Sequence, residues 1–172
     1  FVMYRAYAMH AGARYVAVSL ADDFQVDERA MLAAIERERP ALVWLASPNN
    51  PTGRAVPVGT IERIVAAAPG VVAVDEAYAD YADGTLVPRV MEFANLVVLR
   101  TLSKIGLAGA RLGYAVGHPA WIAEMDKVRS PYNVNALTQA VVPALLAAPD
   151  VFAAQIASVR SERARLAIAL AA

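Results

Sequence analysis

The sequence predicts an α/β fold with three layers, α/β/α, in which helices cover a mostly parallel sheet that has one antiparallel strand. Its apolar runs of strand length lack polar alternation, which is typical of strands covered by helices on both faces. These runs alternate with segments of helical periodicity, as in βαβ units. The last run follows its predecessor after about ten residues, which is too short for a parallel crossover.

Each predicted strand is an apolar run that turn-forming or polar residues interrupt. The strands are expected at residues 15–20, 41–46, 71–74, 96–99 and 111–116. The last of them is the strand that we expect to be antiparallel, because of its short connection.

The predicted helices combine apolar residues at helical spacing with a polar residue that can serve as the N-cap. Asp27 is expected to cap a helix after the first strand, and Thr60 to cap one that ends before Pro69. Three more helices are expected after the last strand, at residues 119–129, 134–147 and 150–171, the third capped by Asp150.

The composition argues against several classes of function. Sixteen basic and sixteen acidic residues give a formal charge of zero, so we expect neither nucleic acid nor an anionic membrane as a partner. There is no Cys and there are only two His, so no metal site is expected. The uncharged residues 131–149 are too polar for a good membrane span. Fourteen basic residues are Arg, and only Lys104 and Lys127 are Lys.

Polar side chains follow three of the predicted strands, at the edge of the sheet where open α/β folds bind ligands. They are Asn49 and Asn50 after the second strand, Asp75, Glu76 and Tyr78 after the third, and Thr101, Ser103, Lys104 and Arg111 after the fourth.

This set of side chains suits a ligand with three different chemical groups. A hydroxyl pair with Arg111 suits a phosphate, because a guanidinium forms bidentate, charge-assisted hydrogen bonds. Lys104, beside cationic and phenolic groups, can attack a carbonyl. Asp75 can keep a ring nitrogen protonated. Phosphate, aldehyde and pyridine together describe pyridoxal 5′-phosphate.

Three motifs in this order, SPNNPTG, VDEAYADY and RTLSKIGLAGARLGY, carry a resemblance to a known family. They resemble the fold-type I, class I/II aminotransferases, over nearly the whole chain. FVMYRAYAMHAGARYVAVSLADDF, RTLSKIGLAGARLGY and RSPYNVNALTQ are most similar to the histidinol-phosphate aminotransferases. The resemblance implies pyridoxal phosphate-dependent transamination of histidinol phosphate with 2-oxoglutarate, in histidine biosynthesis.

The resemblance also assigns roles to the polar residues at the sheet edge. Lys104 matches the lysine that binds the cofactor's aldehyde covalently and later moves the α-proton. Asp75 matches the carboxylate that pairs with the pyridine nitrogen. Asn50 and Tyr78 match the donors to the phenolic oxygen of the ring.

The remaining ligands follow from the same resemblance. Thr101, Ser103 and Arg111 match the phosphate ligands, although Arg111 follows Lys104 by seven positions where many relatives have eight. Phe1 falls where these enzymes place an aromatic ring on the pyridine. A segment that family members place near the substrate contributes three further candidates, Tyr132, Asn133 and Asn135.

The domain organisation is expected from the resemblance as well. Residues 1–150 would form the central part of the large, cofactor-binding domain, and residues 151–172 a long helix toward a C-terminal small domain. The resemblance implies a homodimer in the cytoplasm, and we expect the 172-residue chain alone to have little activity.

The sequence alone is compatible with three alternative functions. The chain could belong to another pyridoxal phosphate enzyme of this fold, such as an aromatic aminotransferase or a threonine-phosphate decarboxylase-like enzyme. It could be the aminotransferase-like sensor domain of a transcription regulator, or a nucleotide-binding α/β domain without pyridoxal phosphate.

Overall fold

Four strands form one sheet in the order β1–β2–β3–β4 within residues 1–171, which the computed structural model describes. The strands β1, β2 and β3 are parallel, whereas β4 is antiparallel to β3. The predicted mixed sheet and its antiparallel strand are therefore confirmed. The strands are β1 (Leu42–Ala46), β2 (Val71–Asp75), β3 (Leu96–Thr101) and β4 (Gly113–Gly117).

Helices precede the sheet, connect its first two strands and follow its last strand, whereas 3₁₀ turns lie between β2 and β3. The α-helices are α1 (Met3–His10), α2 (Glu28–Glu38), α3 (Val58–Ala67), α4 (Pro119–Val128), α5 (Ala136–Leu146) and α6 (Pro149–Ala171). Short 3₁₀ turns lie at Ala79–Tyr81, Val87–Glu92, Leu102–Lys104 and Ala108–Ala110.

Both faces of the central strands are buried, as their uninterrupted apolar sequences predict. One face packs with α2 and α3 in a single hydrophobic cluster, to which Leu45, Val74 and Ile64 belong. On the other face, Ala73 and Val97 are also buried. The sheet thus forms a rigid centre from which the loops at its carboxyl edge project.

The prediction of a strand at residues 15–20 is wrong. Leu20 forms only an isolated bridge with Val26, and both Tyr15 and Val16 are exposed. An extended segment becomes a strand only where a neighbouring strand forms hydrogen bonds with its backbone N–H and C=O groups. Among residues 1–171 the sheet ends at β1, so this run has no such neighbour.

The three predicted N-caps have different outcomes. Asp27 caps α2 as predicted, since its side chain accepts a hydrogen bond from the Ala30 N–H at 2.9 Å. Thr60 is not a cap, because α3 already begins at Val58, and its hydroxyl donates to Glu28 instead. Asp150 also lies inside its helix, in the first turn of α6, where a negative charge faces the positive end of the helix dipole.

No single helix within residues 1–171 is long and apolar enough to cross a membrane. Only α5 and α6 taken together reach the required length and hydropathy, and the two are bent by 80° at their junction.

Candidate active site

The register of the sheet brings three site loops to one edge. Asp75, the last residue of β2, pairs with Ala46 at the end of β1 and with Leu99 of β3. The loop with Asn50 begins directly after Ala46, and Thr101 follows Leu99 by two residues. The parallel pairing of β1 to β3 therefore gathers these side chains, as the strand order predicts.

Asn50, Tyr78 and Lys104 come together although they lie on three different loops. The Asn50 Nδ2 donates a hydrogen bond to the Tyr78 hydroxyl at 2.8 Å. The Lys104 amine lies over the Tyr78 ring, 5.3 Å from its centroid. All three side chains line a cavity of about 1370 Å³, which is large enough for a cofactor and a substrate.

The Asp75 carboxylate is held by two neutral donors. Its Oδ2 accepts a hydrogen bond from the Tyr4 hydroxyl at 2.6 Å, and its Oδ1 accepts one from the backbone N–H of Ala77 at 3.0 Å. Since each oxygen has its own donor, the plane of the carboxylate is defined. Burial raises the pKa of the Tyr4 phenol above its ordinary value, and the hydrogen bond to Asp75 raises it further.

An aromatic stack supports Tyr4. Its ring lies parallel to that of Trp44 on β1, with centroids 4.7 Å apart and an angle of 9° between the planes. Phe1, the residue predicted to stack on a cofactor ring, contacts Tyr4 edge to face at 5.4 Å and is 69% exposed. Its proposed stacking role remains a prediction.

The three predicted phosphate ligands lie between the last residue of β3, which is Thr101, and the start of β4. The Thr101 hydroxyl accepts a hydrogen bond from the Ser103 N–H at 3.1 Å, which shapes the turn that presents Lys104. Arg111 has a left-handed backbone, with φ 52° and ψ 38°, and is exposed. Its guanidinium donates to the Ala108 carbonyl at 3.2 Å. The structure thus places Thr101 at the end of β3 and the other two residues on the loop that follows, and their ligand role remains a prediction.

The predicted substrate residues lie outside the lining of this cavity. Tyr132 is 91% exposed. Asn133 accepts a hydrogen bond from Arg129, and Asn135 caps α5 through the Thr138 N–H at 2.9 Å. Within residues 1–171 these contacts are local, so the structure does not bring the three residues to Lys104.

Sequence reasoning missed the groups that hold the site residues in place. The Tyr81 hydroxyl donates to the Lys104 carbonyl at 2.6 Å. Buried Glu76 accepts hydrogen bonds from the Leu86 N–H at 2.7 Å and from Arg100 at 3.2 Å, and so anchors the loop that carries Tyr78. The sequence predicts for Glu76 only a position after a strand, and its spacing gives no sign of these partners.

Helix α6 also contacts this loop. Arg160 donates to the Ala82 carbonyl at 3.0 Å and pairs with Asp83, and Arg163 donates to the Tyr81 carbonyl at 2.9 Å. The sequence pattern predicts that these arginines lie on a solvent-exposed face of the helix. No cluster of three or more potential metal ligands occurs among the residues that the structure describes.

Comparison with known proteins decides the family. Residues 1–172 match the family described as aminotransferase class I and II. The chain belongs to this family.

Relatives within the aminotransferase class I and II family include several named histidinol-phosphate aminotransferases. Histidinol-phosphate aminotransferase 1 of Burkholderia lata is 54% identical over 173 residues, which is 100% of this chain and 48% of the relative. The Chromobacterium violaceum histidinol-phosphate aminotransferase is 53% identical over 172 residues, again 100% of this chain and 48% of the relative. The chain therefore spans about half the length of the curated relatives it matches.

A solved aminotransferase shares the fold. The structure of histidinol-phosphate aminotransferase from Sinorhizobium meliloti in complex with pyridoxal-5′-phosphate superposes with a TM-score of 0.87 at 31% identity. The match covers 96% of this chain and 47% of that one. The predicted fold class, the large domain of a pyridoxal phosphate transferase, is confirmed.

Proposed function

We propose that the protein is a pyridoxal phosphate-dependent aminotransferase that exchanges the amino group of histidinol phosphate with 2-oxoglutarate, in histidine biosynthesis. The observation that carries the proposal is the meeting of the Lys104 amine with the Asn50–Tyr78 pair in one cavity, beside the strand end that bears Asp75. The 54% identity to a histidinol-phosphate aminotransferase supports the choice of substrate.

The donor set fits pyridoxal phosphate group by group. Lys104 provides a primary amine for the aldehyde, and Asn50 and Tyr78 provide donors for the phenolic oxygen. Asp75 provides a carboxylate whose two hydrogen bonds come from neutral groups, so its negative charge is left for a cationic ring nitrogen. The end of β3 and the loop that follows it provide hydroxyl and guanidinium groups for the phosphate, from Thr101, Ser103 and Arg111.

Bound pyridoxal phosphate supplies an aldehyde that captures the substrate nitrogen and a protonated ring that withdraws the electrons of the Cα–H bond. Lys104 would hold the aldehyde through its primary amine, and the same amine would move the α-proton of the substrate as general base and general acid. Asp75 would keep the ring nitrogen protonated by opposite charge. Asn50 and Tyr78 would hold the ring in register with the amine.

The protein is also proposed to act as a homodimer in the cytoplasm. Both expectations follow from the resemblance of the motifs to this family, and a sedimentation measurement on the full-length protein tests the first.

The test of the proposed function is Lys104→Ala in the full-length protein, with Lys127→Ala as matched control. Turnover of histidinol phosphate with 2-oxoglutarate should fall by about 10²–10⁴-fold or more in Lys104→Ala, because the general base is lost. Borohydride should attach the cofactor covalently to the unmodified protein and to Lys127→Ala, whereas Lys104→Ala should stay unlabelled in its mass spectrum.

Two outcomes would overturn parts of the proposal. Normal turnover in Lys104→Ala would exclude the assigned lysine. A substrate panel in which an aromatic amino acid reacts faster than histidinol phosphate, or in which threonine phosphate releases carbon dioxide, would replace the proposed substrate.

A further inference from the structure

Tyr4 is a buried phenol in direct contact with the carboxylate proposed to face the cofactor ring. It is 8% exposed, and its hydroxyl lies 2.6 Å from the Asp75 Oδ2. This distance lies at the short end of the range for hydrogen bonds between a hydroxyl and a carboxylate oxygen.

The surroundings of Tyr4 leave its hydroxyl few other orientations. Its ring is stacked on Trp44, and Trp44 pairs through the backbone of β1 with Ala73 of β2. Asp75 lies two residues further along the same strand β2. The two partners of the hydrogen bond are therefore fixed by adjacent strands of one sheet.

The hydrogen bond can have only one direction under ordinary conditions. Burial and the neighbouring carboxylate both raise the pKa of Tyr4, so the phenol stays protonated and donates. Asp75 is then the acceptor of this hydrogen bond. Because the Ala77 N–H holds the other oxygen, both ends of the carboxylate are fixed.

We propose that Tyr4 is a positioning residue of the cofactor site, which holds the Asp75 carboxylate correctly oriented toward the ring nitrogen of the cofactor. The proposal rests on the proposed function, because it assigns Tyr4 to the same site. Tyr4 acts through Asp75 and needs no contact of its own with the substrate.

The experiment compares two ligands and two tyrosines in the full-length protein. One ligand is pyridoxal phosphate, and the other is its analogue with carbon in place of the ring nitrogen, which keeps the aldehyde and the phosphate. The variants are Tyr4→Phe, which keeps the aromatic stack and loses the hydroxyl, and Tyr7→Phe, an exposed position on the same helix α1.

The unmodified protein and Tyr7→Phe should bind pyridoxal phosphate more tightly than the carbon analogue. In Tyr4→Phe this preference should fall by about tenfold, as expected for one hydrogen bond to a charged group, with the affinity for the analogue unchanged. In an Asp75→Asn background, Tyr4→Phe should have no further effect on the preference, because the two residues act in series.

Three other outcomes would overturn either the role of Tyr4 or the proposed function. Equal weakening of both ligands in Tyr4→Phe would mean that Tyr4 only supports packing, and an unchanged preference would mean that it does not act on Asp75. Either result overturns the role of Tyr4 and leaves the proposed function intact. Failure of the unmodified protein to bind pyridoxal phosphate would overturn the proposed function and the role of Tyr4 with it.

Discussion

Asp75 and Lys104 belong to one proposed site, yet the chain holds them in two different ways. Asp75 ends a strand that is paired on both sides, and buried Tyr4 holds its carboxylate. Lys104 is an exposed residue in a 3₁₀ turn, and a hydrogen bond from Tyr81 on another loop holds its carbonyl.

The difference corresponds to the different tasks proposed for the two groups. A carboxylate that keeps one partner throughout a reaction benefits from the rigidity of a packed sheet. An amine that is bonded to the cofactor and then moves a substrate proton benefits from a position on a loop, because local motion there requires less free energy. We call Asp75 with Tyr4 the sheet-held half of the site, and Lys104 with the loop that carries Tyr78 and Tyr81 the loop-held half. The two halves should therefore respond differently to substitution.

The largest effect is expected where the loop-held half is anchored by a buried ion pair. Glu76 is 3% exposed and bridges Arg100, Thr85 and the Leu86 N–H, while Arg100 also reaches Asp80. Glu76→Ala leaves buried donors without an acceptor, and the free energy of unfolding should fall by about 3–5 kcal/mol in urea denaturation.

Glu124→Ala provides a control for Glu76→Ala, because it removes an exposed pair with Lys127 on α4. The expected change there is about 0–1 kcal/mol. Similar losses of stability in the two variants would show that the Glu76 network does not anchor the loop, and the contrast between buried and exposed anchoring would fail.

A smaller effect is expected from the hydrogen bond that holds Lys104. Tyr81→Phe removes the bond of 2.6 Å to the Lys104 carbonyl and should cost about 0.5–1.5 kcal/mol of stability. Turnover should fall as well, because the turn that presents the amine is less well defined. The preference for a ring nitrogen in the cofactor should not change, in contrast to Tyr4→Phe.

Tyr114→Phe, at an exposed position of β4, is the control for Tyr81→Phe. A loss of the ring-nitrogen preference in Tyr81→Phe would show that the two halves of the site are coupled. The division into a sheet-held and a loop-held half would then be wrong.

The same division separates what the sequence predicts from what it does not. The apolar runs predict β1 to β4, and the polar residues after them predict that Asn50, Asp75 and Lys104 meet at one edge, because strand order determines which loops are neighbours. Neither Tyr4 nor Tyr81 could be assigned in this way. Their partners lie 71 and 23 residues away, and no periodicity encodes such a hydrogen bond.

The wrong predictions at residues 15–20 and at Thr60 have physical reasons as well. The run at residues 15–20 has strand composition, but β-structure requires a neighbouring strand, and composition carries no information about that neighbour. Thr60 is a residue type that often caps helices, but α3 begins two residues earlier. Its hydroxyl instead donates a hydrogen bond to Glu28 on α2. In both cases a partner distant in sequence decides the local structure.

The smallest effect is expected at an ion pair outside both halves of the site. Glu28 on α2 accepts hydrogen bonds from Arg63 and Thr60 on α3, which lower its pKa from the ordinary value of 4.5 to about 2. Between these two values the unfolded chain binds more protons than the folded one, so this stabilisation is complete above pH 4.5 and is lost as the pH falls through 2. The urea midpoint of Glu28→Gln should therefore lie slightly below that of the unmodified protein at pH 7, and the gap should close on acidification. Glu36→Gln, exposed on the same helix, controls for the loss of one negative charge. A gap that stays constant down to pH 2 would contradict the assigned ion pair.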